Sequence, residues 1–146
     1  MFRGSAPAKI DDKGRLKVPT AFRQHIEERW GPDVFVTSVL GDKALVYPLP
    51  VWEEHEARLQ AMPSTNPARN RYLDRVSYFG QQTRLDAQGR IVLPQLLRTS
   101  AGMEGEVVVA AQIDHLTVWN RERFESRLAE ESFTEEDFGA LSAAGI

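Results

Sequence analysis

Cations alternate with apolar residues in Arg15-Leu16-Lys17-Val18, the period of a strand with one face buried and the other in water. Pro19 ends that strand, because it has no N–H for a ladder, and its preset φ suits the first turn of a helix. In that helix Phe22 and Ile26 lie one turn apart on one face, and Gly31-Pro32 stops it. The apolar runs Val34-Phe35-Val36 and Leu45-Val46-Tyr47 predict two more strands, and Trp52 to Leu59 predicts a helix. The prolines and small polar residues of Ala61-Met62-Pro63-Ser64-Thr65-Asn66-Pro67 break that helix into a loop. A further helix follows from Arg69 to Tyr78, where Tyr72, Leu73 and Val76 recur at helical spacing with Arg71 and Arg75 on a neighbouring face. The end of the chain, acidic from Glu130 to Asp137 and closing on Ser142-Ala143-Ala144-Gly145-Ile146, has little to bury and is expected to fray.

The pattern occurs twice. Ile10-Asp11-Asp12-Lys13-Gly14-Arg15-Leu16-Lys17-Val18-Pro19 aligns with Leu85-Asp86-Ala87-Gln88-Gly89-Arg90-Ile91-Val92-Leu93-Pro94, so that Asp, Gly, Arg and Pro coincide and the flanking positions stay apolar. Arg23 matches Arg98 after each proline, and Leu96 and Leu97 serve the shorter helix of the second copy. More loosely, Val107-Val108-Val109 echoes Val34-Phe35-Val36, Thr117-Val118-Trp119 echoes Leu45-Val46-Tyr47, and Phe124 falls opposite Trp52. Each copy therefore reads strand, turn, strand, short helix, strand, strand, helix. Asp11 and Asp86 can hydrogen-bond nearby backbone donors, and Gly14 and Gly89 can take positive φ, which together define a short hairpin connection.

Composition narrows the class. The chain of 146 residues is 42% hydrophobic and 27% charged, a balance typical of globular proteins, and no apolar run approaches a membrane span of about 20 residues. Lys9, Asp11, Asp12 and Lys13 follow the opening residues at once, so no export signal is expected. There is no cysteine, which excludes disulfides, thiolate metal sites and a cysteine nucleophile and fits a reducing compartment. The net charge of −3 argues against a nucleic-acid partner until its distribution is considered. Arg3, Lys9, Lys13, Arg15, Lys17 and Arg23 stand against only Asp11 and Asp12. Arg69, Arg71, Arg75, Arg84, Arg90 and Arg98 stand against Asp74 and Asp86, while the chain beyond Met103 is strongly acidic. Charge alone leaves a basic binding face and random unevenness equally open; the internal repeat decides between them, because each basic segment coincides with one of its two hairpins.

Arg15 is the candidate for reading bases, since a planar guanidinium can grip a base edge while Lys13 and Lys17 meet phosphates. Arg90 is its counterpart, but Gln88 and Val92 replace the two lysines, so fewer cations are expected around it and a smaller or different contribution. Arg3 and Lys9 are weaker candidates. Asp11 and Asp86 would repel phosphate and are assigned, with Gly14 and Gly89, to structuring the turns or orienting the arginines. A simpler reading has both arginines only stapling their hairpins to those aspartates, a contribution of about 0–1 kcal/mol when exposed. Trp30, Trp52 and Trp119 sit among apolar or helical neighbours and are expected in cores or subunit contacts. No catalytic constellation is legible: His25, His55 and His115 are scattered, Ser38, Ser77 and Ser100 lack a nucleophile context, and Glu53-Glu54 and Glu135-Glu136 are adjacent and do not converge. Neither an enzyme, nor a metal, nor a cofactor is expected.

Tandem Asp-x-x-Gly-Arg hairpins with downstream prolines, together with Met1-Phe2-Arg3-Gly4, Lys13 to Thr20, Tyr47-Pro48-Leu49-Pro50-Val51-Trp52 and Asn66-Pro67, resemble the MraZ family over nearly the whole chain. That resemblance implies an α+β fold in which tandem SpoVT/AbrB-like swapped-hairpin units form one pseudo-twofold β-barrel flanked by short helices. The expected organisation is a first unit over 1–62, a linker with a helix over 63–80, a second unit over 81–128 and an acidic tail over 129–146. It further implies a cytoplasmic, nucleoid-associated transcriptional regulator that binds double-stranded DNA as a ring-like homo-oligomer. Its expected target is short direct repeats upstream of the division and cell-wall gene cluster. The family's Asp-x-x-x-Arg motif falls on Asp11 with Arg15 and on Asp86 with Arg90. An alternative of another class is an antitoxin-like module whose helices and acidic tail bind a protein partner, although the second hairpin unit takes up the chain length that a detachable tail would need.

Overall fold

The computed structural model describes residues 2–146; Met1, which opens the Met1-Phe2-Arg3-Gly4 run and the first unit, lies outside them. The first repeat supplies β1 (Ser5–Ile10), β2 (Arg15–Lys17), α1 (Thr20–Trp30), β3 (Asp33–Thr37), β4 (Ala44–Pro48) and α2 (Leu49–Ala61). After α3 (Pro67–Tyr78) the order recurs as β5 (Gln81–Arg84), β6 (Arg90–Val92), α4 (Gln95–Ala101), β7 (Gly105–Ala111), β8 (Leu116–Asn120) and α5 (Arg121–Glu130), followed by α6 (Glu135–Ala143). Pro19 and Pro94 stand at the N-caps of α1 and α4, one position before the first helical turn, where a missing N–H costs no helical hydrogen bond. Helices α2 and α3 are both longer than their apolar spacing alone predicts. Pro50 in the first turn of α2 and Pro67 opening α3 extend them backwards, where a missing N–H costs nothing.

The strands form one antiparallel sheet in the order β5-β3-β4-β8-β7-β1-β2-β6, which curls into a nearly closed barrel. Each repeat completes the other. β1 pairs with β7 along its whole length, and the equivalent β5 pairs with β3. Two symmetric contacts lie on the pseudo-twofold axis: β2 against β6, where Leu16 faces Ile91, and β4 against β8, where Leu45 faces Thr117. The seam between β5 and β6 is held by the second turn, where Asp86 N donates to Arg90 O at 3.0 Å.

Small units of this length are marginal alone, and the barrel joins both repeats in one shared core. Leu16, Val18, Ile26, Val34 and Val36 of the first repeat interdigitate with Ile91, Leu93, Leu97, Val107, Leu116 and Val118 of the second. Removing each such side chain from water contributes about 1.5–3 kcal/mol. A smaller apolar layer outside the barrel joins Leu45, Tyr47, Val51 and Trp52 to Val76 of α3. Thr37 Oγ1 donates to Val76 O at 2.8 Å, which satisfies a buried hydroxyl where α3 crosses the sheet. Trp52 and Trp119 are buried and Trp30 is half-buried among Phe2 and His25, so none offers a free stacking face.

Two sequence expectations are corrected. Leu96 does not serve the core: α4 has two turns, only one face meets the barrel, and that face carries Leu97 and Ala101 while Leu96 is exposed. The tail does not simply fray, because α6 forms behind a reciprocal capping box. Thr134 Oγ1 accepts from Asp137 N at 3.1 Å and Asp137 accepts from Thr134 N at 2.9 Å. The acidic residues at its start also favour the positive end of the helix dipole, yet α6 buries no residue.

Candidate nucleic-acid interface

The two hairpin turns have the same construction. In the first, Asp11 Oδ1 accepts from Lys13 N at 3.0 Å and Arg15 N at 2.8 Å, while Oδ2 accepts from Arg15 Nε at 2.8 Å. In the second, Asp86 Oδ1 accepts from Gln88 N at 2.8 Å and Arg90 N at 2.9 Å, and Oδ2 accepts from Arg90 Nε at 3.1 Å. Gly14 and Gly89 close the turns at φ values of 77° and 75°, a region costly to any residue with a Cβ. Both aspartates thus accept backbone and side-chain donors of their own turns. Each arginine spends only Nε on its aspartate, and the Nη atoms of Arg15 and Arg90 make no hydrogen bond among the described residues.

The carboxylate staples are kept charged by their donors. The backbone N–H of Arg15, with further help from its side chain and Lys13 N, holds the Asp11 carboxyl below its ordinary 3.8. Arg90 N does the same for Asp86. A depressed folded-state value contributes stability that is fully present above 3.8 and is lost as pH falls through the lower folded value. In urea titrations at stepped pH, the stability difference between wild type and Asp11→Asn should therefore be constant near neutrality and shrink in acid as pH falls from 3.8 through the lower folded value. A difference independent of pH would contradict the staple.

Beyond the turns, β2 and β6 form a two-stranded ribbon. Leu16 and Ile91 face the core, so the alternate residues Arg15, Lys17, Arg90 and Val92 face outward. The register corrects one expectation. Arg90 is not short of cationic neighbours, because Lys17 is its direct partner across the strands, whereas Arg15 faces Val92. The swap, invisible in either hairpin alone, moves Lys17 from the first motif to the side of the second arginine. Lys13 and Gln88 are exposed at the two turn tips. Lys9 lies near the first turn, opposite Glu106 of β7 in the strand register, whose carboxylate is 3.7 Å from Arg121. Arg3 stands at the opposite end of β1, roughly 20 Å of strand away from the turn, and does not join the cluster.

Two further arginines belong to the site. Arg23 Nη2 donates to Ala87 O of the second turn at 3.1 Å, and Arg98 lies over Gly14 of the first. Their matching positions after Pro19 and Pro94 were the available signal. Among the described residues no group of three or more His, Asp or Glu side chains could hold a metal ion, and no helix is long and apolar enough to cross a membrane.

Comparison with known proteins matches this chain, over residues 1–75 and 80–142, to the model of a family described as "MraZ protein, putative antitoxin-like". The chain is similar to the transcriptional regulator MraZ of Acidobacterium capsulatum, 45% identical over 146 residues that cover all of both chains. It is equally similar to the transcriptional regulator MraZ of Koribacter versatilis, 45% identical over 147 aligned positions, again covering both chains fully. With the transcriptional regulator MraZ of Deinococcus radiodurans it shares 37% identity over 127 residues, 86% of each chain.

Proposed function

The chain belongs to the MraZ family, and on that basis we propose that it is a transcriptional regulator that reads double-stranded DNA through its paired hairpins. The observation that carries the proposal is the outward face of the β2–β6 ribbon, where two guanidinium groups are aimed by carboxylates through Nε and keep their forked Nη edges free. A two-stranded ribbon fits the major groove, and a bidentate arginine on guanine discriminates by about 1–3 kcal/mol. Lys13 at the turn tip and Lys17 on the ribbon supply phosphate contacts, with Gln88 a polar contact at the second tip.

The target is the promoter of the division and cell-wall gene cluster, read as short direct repeats. One chain carries one ribbon, so a ring-like homo-oligomer lets neighbouring subunits engage successive repeats and gain affinity from effective concentration. On a sizing column the purified protein is expected as a large homo-oligomer; a dimer carrying a stoichiometric foreign protein would favour the antitoxin-like reading. The direct test is a gel shift with the DNA immediately upstream of the protein's own gene. It should be retained against excess unrelated duplex, and equal retention of both would overturn sequence-specific reading. In the same assay Lys13→Ala should weaken binding to every sequence and flatten the salt dependence by about 0.9 for each phosphate it no longer neutralises. A changed sequence preference would mean that Lys13 touches bases.

A further inference from the structure

The two turns are interlocked across the repeats. Leu93 N, at the end of the second ribbon strand, donates to Gly14 O of the first turn at 2.9 Å, and Val18 N donates to Gly89 O of the second turn at 2.9 Å. Over each of these glycines lies an arginine from the helix of the other repeat. Arg98 of α4 donates from Nε to Leu93 O at 3.0 Å, which lays its guanidinium on Gly14; a Cβ there would fall 2.5 Å from Arg98 Nε. Arg23 of α1 is fixed by Glu27 at 3.2 Å and donates from Nη2 to Ala87 O at 3.1 Å; a Cβ on Gly89 would fall 2.5 Å from its Cδ.

We infer that Arg23 and Arg98 are positioning residues, each setting from one repeat the turn that the other repeat presents. The inference rests on the reading of these turns as DNA-facing. Gly14 and Gly89 thus serve twice: they permit positive φ, and they leave the space that the bracing guanidinium fills. Consequently Arg15 is aimed by Asp11 in its own turn and by Arg98 from the second repeat, and neither hairpin keeps its geometry alone. Interactions that hold a recognition group in its bound geometry contribute to affinity without touching the ligand.

The experiment uses the full-length protein with Arg98→Ala and Arg98→Lys, and Arg15→Ala as control. Hydrogen exchange is followed in the free protein, and affinity for the upstream duplex across a salt series. Arg98→Ala should speed exchange at the amides of Lys13, Gly14 and Arg15 by about tenfold while leaving those of Gln88 to Arg90 unchanged. It should weaken the duplex by about fivefold or more with an unchanged salt slope, because no phosphate contact is removed. Arg98→Lys should behave like Arg98→Ala, since it keeps the charge but lacks the Nε donor and the planar group. Arg23→Ala should mirror the result at the second turn, and it keeps the inference testable should Arg98→Ala fail to fold. Unchanged exchange at the first turn would overturn the inference. So would a salt slope reduced by about 0.9 with binding restored by lysine, the behaviour of a phosphate contact. Normal binding by Arg15→Ala would instead sink the DNA reading, while the exchange measurement would still decide the brace.

Discussion

Replacing Arg15 with alanine is expected to abolish specific retention of the protein's own upstream DNA at moderate salt while leaving the fold intact. Arg15 is partly exposed on the outward face of β2, outside the barrel core, so its truncation opens no cavity in the barrel. Two effects add. The base contact disappears, at about 1–3 kcal/mol for each bidentate pair. In addition, Asp11 is left without its partner and stands as an unbalanced carboxylate beside the DNA backbone, where like charge repels. Asp11→Asn combined with Arg15→Ala should therefore recover part of the non-specific affinity and none of the specificity. Arg90→Ala should weaken binding less, because Lys17 remains opposite the vacated position. Unchanged specific binding by Arg15→Ala would remove the guanidinium from the site.

The largest loss of stability is expected from Leu16→Ala. Leu16 is fully buried and faces Ile91 on the pseudo-twofold axis, so the side chain is enclosed by both repeats and the surroundings have little room to collapse. Leu→Ala changes at such sites cost about 2–5 kcal/mol; with about 3 kcal/mol here, Tm should fall by about 10 °C. Because the β2–β6 ribbon is the surface above that cavity, hydrogen exchange should rise in both turns together and not in the first alone. A Tm within about 2 °C of wild type would mean that the axis is not packed as described.

How much of this was legible in the sequence depended on the range of the physics involved. The turns were legible because their causes are local: Asp11, Gly14 and Arg15 act within five residues, and the second copy repeats them. So were Pro19 and Pro94 as helix starts, and the strands with their alternation. The swap was legible only through the family resemblance. Nothing in the local pattern of Ser5–Ile10 says that it pairs with Gly105–Ala111 as well as with β2 of its own repeat, and the register that sets Lys17 beside Arg90 is likewise a tertiary choice. Leu96 looked like core by its apolar character, but orientation on a two-turn helix is set by what the helix lies against. In the tail, the acidic composition outweighed a four-residue capping signal at Thr134 and Asp137 that local pairing satisfies. The roles of Arg23 and Arg98 required the crossing of the two turns before their repeat-matched positions had any meaning.

If the β2–β6 ribbon and its two turns are the DNA-facing surface, bound duplex must cover them before anything else. Hydrogen exchange of the purified protein, with and without a saturating duplex from upstream of its own gene, reads this without any substitution. Protection is expected over residues 11–17 and 86–92 on adding DNA, with little change across α2 and α3. Protection over α2 and α3 with both turns unchanged would place the DNA on another face and contradict the ribbon as its reader.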